Sequence, residues 1–151
     1  MYVREMSDPE CHSLVAAGDL ARLACCKEGQ PYIVPITYVL DGQCLYCFSM
    51  PGQKVDWMRA NSKVCLQVDV FSGTRQWKSV VLTGRYRELS PAPTPHSEWI
   101  RAWSLLEKKT NWWEPGGLKP GPQAISGESP HIFFSVDVDG MTGRAAFEDE
   151  P

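Results

Sequence analysis

The chain has 151 residues, enough for one domain with a sizeable core and short for two. Hydrophobic residues make up 43% and charged residues 22%, and the formal net charge of -3 comes with no basic block, which argues against a nucleic-acid partner. No apolar stretch approaches the ~20 residues of a membrane span, and MYVREMSDPEC lacks the apolar core of a signal peptide, so the chain reads as cytoplasmic with no membrane partner.

Residues 8 to 17 predict a short helix capped by Ser7 or Asp8 and ending at Gly18. ARLACCK (21 to 27) reads as a strand. PYIVPITYVL (31 to 40) reads as another, with Tyr32, Val34, Ile36, Tyr38 and Leu40 on one face. Asp41 and Gly42 give the strongest hairpin signal in the chain, leading into QCLYCFS (43 to 49). A helix over about 51 to 60 follows, with Ser49 as its expected N-cap and Pro51 in its first turn.

KVCLQVDV (63 to 70) alternates, with Val64, Leu66, Val68 and Val70 facing one way and Lys63, Gln67 and Asp69 the other. RQWKSVVLTGRYREL (75 to 89) is a long strand with Gly84 where a bulge or bend is expected. A third helix covers about 95 to 110, with Trp99, Ile100, Trp103 and Leu106 on one stripe. Residues 111 to 130 form a long Pro/Gly-rich loop carrying Trp112 and Trp113. HIFFSVDV (131 to 138) is the last clear strand, and MTGRAAF adds a short piece. Six short strands with tight turns predict a mainly antiparallel sheet closed into a small barrel, with two or three helices over it.

Side-chain chemistry is sparse. Cys11, Cys25, Cys26, Cys44, Cys47 and Cys65 read as reduced thiols, mostly in apolar strands. Cys44 and Cys47 form a CxxC, but in mid-strand its side chains point to opposite faces, and no second ligand pair follows. His12, His96 and His131 lie in separate segments; Asp137 and Asp139 bracket a strand end that suits either solvent or a cation. Two stretches suit a ligand. Ser49, Gly52 and Lys54 cluster at a strand-to-helix junction, where N–H groups, a hydroxyl and an ammonium suit a phosphate; an ordinary capped helix with a solvent-facing lysine would look the same. Trp77 and Ser79 share a strand face, with Lys78 opposite, and either line an aromatic ligand or cover one end of the barrel.

In order along the chain, PxxxPIxY, then GxK opening a helix, then WxSVxxxG resemble the pyridoxamine 5′-phosphate oxidase-like, FMN-binding split-barrel superfamily. The pattern is most similar to its small flavin-binding proteins related to nitroimidazole-resistance reductases. The resemblance covers residues 18 to 90 well and the C-terminal strand more loosely. It implies a six-stranded antiparallel split barrel that forms a homodimer, with FMN at the subunit interface. Lys54 would hold the phosphate, helped by Ser49 and the Gly52–Gln53 backbone. Pro35, Ile36 and Thr37 would run along the isoalloxazine ring and hydrogen-bond its polar edge, and Trp77, Lys78 and Ser79 would complete the site.

Gln53 stands where the oxidases carry an arginine, and their C-terminal substrate-binding Arg and His are not evident; Arg144 is a remnant at best. A deazaflavin (F420) is the alternative cofactor. The expected activity is hydride or electron transfer to a small-molecule substrate, with no side-chain acid or base required. The competing readings are a flavin carrier or sensor without turnover, and a haem-binding split barrel with His131 or a cysteine as axial ligand.

Overall fold

The computed structural model describes residues 1–109 and 131–149. The chain opens as β1 (Tyr2–Glu5), passes through α1 (Asp8–Ala17) into β2 (Leu20–Lys27) and β3 (Gln30–Asp41), and returns as β4 (Cys44–Ser49). Next come α2 (Gln53–Ala60), the long hairpin β5 (Lys63–Gly73) and β6 (Gln76–Glu88), α3 (Glu98–Glu107) and β7 (Ile132–Phe147). The strand order is β1-β7-β4-β3-β2-β5-β6, and β6 also pairs with β7. Six strands therefore close into the expected antiparallel split barrel, with β1 attached to β7 as a seventh.

The sequence reading needs three amendments. β1 spans four residues, too few to show a period. Residues 131 to 138 and the MTGRAAF piece are one 16-residue strand: its first half pairs with β4 and its second with β1, while β6 runs along most of its length. The third helix is trimmed to Glu98–Glu107, with Ser97 Oγ accepting from the Ile100 N–H at 3.1 Å. The loop 111 to 130, with Trp112 and Trp113, lies outside the described residues. No helix among the described residues is long and apolar enough to cross a membrane.

Alternation decides what fills the barrel. Leu23, Ile36, Tyr38, Leu66, Val80, Leu82 and Val136 point inward and are buried. Ser7 and Glu10 form the capping box that starts α1, and Arg4 pairs with Glu10 at 2.7 Å. The buried Tyr38 hydroxyl donates to the Val15 carbonyl at 2.6 Å, which fixes the end of α1 to the barrel. Gly42 takes φ 63 in the expected Asp–Gly hairpin between β3 and β4.

A second core forms outside the ring. Trp99, Trp103 and Leu106 of α3 pack on Phe133, Tyr46 and Phe48, so β4 and the start of β7 are buried on both faces. Their sequences accordingly read as continuous apolar runs. Arg87 fastens this layer: it pairs with Glu98 of α3 and donates to Asp137 of β7 at 2.8 Å. Asp137 also accepts from Ser135 Oγ at 2.7 Å, so its oxygens are engaged by protein groups. Cys44 faces this outer network while Cys47 lies in the barrel core, as the mid-strand CxxC reading requires.

The register between β6 and β7 shifts at Thr83 and Gly84, the expected irregularity. A Cβ at Gly84 would stand 2.5 Å from the Asp137 carbonyl oxygen, a backbone atom that cannot step aside. Gly84→Ala is therefore expected to destabilise the protein by about 1–3 kcal/mol, read as a lower urea midpoint at unchanged m-value.

Candidate functional site

The site begins where two strands part. β3 pairs with β2 from Gln30 to Thr37, but with β4 only from Tyr38 to Asp41. Past Cys47, β4 stays with β7, Phe48 beside Phe133 and Ser49 beside Ile132. No strand among the described residues pairs with the other edge of β3 from Gln30 to Thr37. The Tyr38 N–H donates to the Asp19 carbonyl at 3.2 Å. By alternation, the main-chain groups of Ile36 turn toward β2, and those of Thr37 and the Pro35 carbonyl turn to the open edge. Pro35 has no N–H and so leaves no orphan donor there. Ile36 buries its side chain in the core and supports the edge from behind.

The junction after β4 departs from the expected cap. Ser49 is buried within β4, and its hydroxyl donates to the Met50 carbonyl at 2.7 Å. The N-cap of α2 is Gly52, without a side-chain cap bond, and Pro51 precedes the helix. The serine fails as a cap because the sheet holds it three residues short of the cap position. The first helical bond is Asp56 N–H to the Gly52 carbonyl at 3.1 Å, so the first-turn N–H groups of Gln53, Lys54 and Val55 remain orphan donors. A Cβ at Gly52 would meet nothing within 4 Å, so the backbone lies open to an approaching group.

Lys54 is half-buried beside this turn, with the thiols of Cys25 and Cys47 near its ammonium. No hydrogen bond or ion pair reaches it among the described residues. Burial pulls its pKa below the usual lysine value, and the neighbouring thiols offset this in part. An uncapped helix start, a half-buried cation without a counter-ion and an open strand edge form a donor set suited to a phosphate attached to a flat polar ring.

Trp77, Lys78 and Ser79 stand elsewhere. Cys25 is level with Gly84 across the sheet, since Ala24 pairs with Cys65 and Cys65 with Thr83. Ser79 is five residues short of that level, about 17 Å along β6. Ser79 and Trp77 face outward, and Trp77 and Lys78 line a cleft of about 660 Å³ under Pro9, Leu14 and Ala17 of α1. One chain thus holds the expected site residues on separate elements: Pro35 shares a cross-strand row with Val81 but β2 and β5 stand between them, and Lys54 lies on α2. The sequence reading missed the polar neighbours of Ser79. Gln67 donates to its hydroxyl at 2.9 Å, and Arg22 pairs with Asp69 at 3.2 Å. The alternation of KVCLQVDV already showed Gln67 and Asp69 turned outward.

A family model described as pyridoxamine 5′-phosphate oxidase matches residues 7–145. The chain is 69% identical over 146 residues to an uncharacterized protein of Rhizobium meliloti, covering 97% of each. A crystal structure of an FAD-binding protein from Mesorhizobium loti is 44% identical with a TM-score of 0.80, over 97% of this chain and 100% of that one. A Bacteroides thetaiotaomicron structure, provisionally named a 5-nitroimidazole antibiotic resistance protein, is 18% identical with a TM-score of 0.71, over 96% of this chain and 89% of that one, a likeness of fold.

Lys54→Met is expected to raise the Tm of the ligand-free protein by a few degrees, the shift that ~1 kcal/mol gives in a chain of this length. The folded-state pKa of Lys54 lies below its unfolded value, so the charged form is penalised on folding. Between that lowered value and ~10.4 the unfolded chain holds the extra proton, and the penalty fades as pH rises. The stability gap between Lys54→Met and wild type should therefore narrow from neutral pH toward pH ~10.4 in paired thermal melts.

Proposed function

Because the chain belongs to the pyridoxamine 5′-phosphate oxidase family, we propose that it is a flavin-nucleotide oxidoreductase of small molecules, with its cofactor held between two copies of the chain. The observation that carries this reading is Lys54, half-buried at the uncapped start of α2 and without a counter-ion among the described residues.

Lys54 and the α2 N–H groups would neutralise the ribityl phosphate that FMN and FAD share, and FMN is the smaller ligand that satisfies them. The stretch Pro35–Thr37 of β3 would run along the ring, with the Pro35 carbonyl toward its polar edge. Gln53 brings no charge beside Lys54, so the edge suits one phosphate, the cofactor's, rather than a second on a vitamin B6 substrate. When bound, a flavin supplies two-electron transfer between a donor and an acceptor, and the protein's part is to bind, orient and exclude water.

A second copy fits because the expected site residues stand on separate elements of one chain. It also fits because Ile33, Val81, Phe71 and Leu20 are exposed on the outward face of β2, β3, β5 and β6, with Pro35, Arg22, Gln67 and Val81 in one cross-strand row. Trp77 and Ser79 of one copy would then complete the site opened by Lys54 of the other.

The purified protein should carry the visible flavin bands and run as a dimer by light scattering; a colourless protein that takes up neither FMN nor FAD would refute the reading. Lys54→Ala should weaken flavin binding ~10–100-fold, the range for losing a charge-assisted bond of about 1.5–3 kcal/mol. Val81→Arg should yield a folded monomer with little flavin. Bleaching of the bound flavin by NADPH in stopped flow would support turnover, and its absence with every nicotinamide would point to a carrier.

A further inference from the structure

Four polar side chains meet on the outward face of the barrel, away from Lys54. Gln67, in mid-β5, uses both amide hydrogens: Nε2 donates to Asp69 Oδ2 at 2.8 Å and to Ser79 Oγ at 2.9 Å. Arg22, opposite Gln67 on β2, donates from Nη1 to Asp69 Oδ1 at 3.2 Å and more distantly to Gln67 Oε1 at 3.5 Å. This pattern has one consistent orientation. The Asp69 carboxylate only accepts, so the Gln67 amide must turn its NH₂ toward it; flipped, its oxygen would face a carboxylate oxygen. Arg22, a pure donor, holds the other end of the amide in place.

The consequence falls on Ser79. A hydroxyl has one hydrogen to give, and here its oxygen is already an acceptor from Gln67. Its hydrogen has no acceptor among the described residues, and the side chain is half-buried on the outward face. Replacing Gln67 with a carboxylate would reverse the bond and absorb that hydrogen. The amide is thus the group that leaves Ser79 a free donor.

We infer that Gln67, clamped by Arg22 and Asp69, is a positioning residue that presents the Ser79 hydroxyl as an outward hydrogen-bond donor to a carbonyl oxygen on the polar edge of the flavin ring. This rests on the flavin reading above. A donor at that edge binds the reduced, more electron-rich ring more tightly than the oxidised one, so the clamp raises the midpoint potential as well as the affinity.

The test uses the flavin-loaded protein, with FMN as probe. Dissociation constants and midpoint potentials are measured for wild type, Ser79→Ala, Gln67→Met and the double variant. Each single variant should weaken FMN binding about five- to tenfold, the effect of one lost hydrogen bond, and lower the potential; the double should be no worse than Ser79→Ala alone. Additive effects, or a Gln67→Met protein matching wild type in both readouts, would overturn the inference, as would a Ser79→Ala protein matching wild type. Should Gln67→Met fail to fold, Gln67→Glu replaces it: it must lower the potential more when Ser79 is present than when it is alanine, and an equal effect overturns the inference. Wild type that binds no flavin would sink the underlying reading instead, whereas Lys54-dependent flavin binding with an indifferent Gln67 would sink only this one.

Discussion

The architecture depends on one divergence, the parting of β3 and β4 at Tyr38 and Cys47. β3 is 12 residues long and β4 only six, and β4 spends its length on β7. Everything ligand-like on the β3 side follows. The leftover stretch of β3 is an open edge, and the chain leaving β4 turns at once into α2, which packs against β2. Pro31 and Pro35 lie in this stretch, where a missing N–H breaks no ladder bond and discourages pairing with a stray strand. The same residues that make the edge tolerable in a folded monomer leave carbonyls there for a ligand to use.

Cover on the two sides of the ring is unequal. The β4–β7 wall is sealed by α3, whose Trp99 and Trp103 stack around Phe133, and Arg87 ties three elements through Glu98 and Asp137. The wall formed by β2, β3, β5 and β6 has no such helix among the described residues, and there Ile33 is 63% and Phe71 66% exposed. A monomer gains nothing from this arrangement. Set among those apolar residues, the Arg22–Asp69–Gln67–Ser79 cluster is polar but internally paired, so covering it with another surface would strand few polar groups.

How much of this the sequence disclosed follows from what each residue answers to. Strands with one wet face, such as KVCLQVDV, declared their period and inward set; the exception is Val70, which lies where the β5–β6 hairpin overhangs the barrel and is 50% exposed. β4 did not alternate, and early β7, whose Ile132, Phe134, Val136 and Val138 do alternate, gave no sign that α3 buries Phe133 on its other face, a tertiary fact no local window contains. Ser49 is the sharpest miss. It has the right chemistry for an N-cap and the wrong geometry, because a ladder of strand pairings outweighs a single cap bond of ~1 kcal/mol. The order of motifs pointed to Lys54 and to Pro35, Ile36 and Thr37, while the parting of β3 from β4 is a matter of strand pairing that no motif states. The separation of Trp77–Ser79 from Lys54 was not legible either, because sequence order says nothing of how far along a strand two sites stand.

Lys54 joins these threads. A lysine in the first turn opposes the helix dipole, and half-burying it adds a desolvation cost, so by the logic of stability alone an apolar residue would serve better. The thiols around it offset that cost only in part: Cys47 is wholly buried, and burial pushes its own pKa upward. Nor does the helix supply an answer, since Asp56 lies in the same turn without pairing to Lys54. The charge is strained only while no anion is present. An anion bound there would offset the desolvation cost, satisfy the orphan N–H groups of α2 and reverse the dipole conflict together, which is the physical case for the proposed phosphate at the junction after β4.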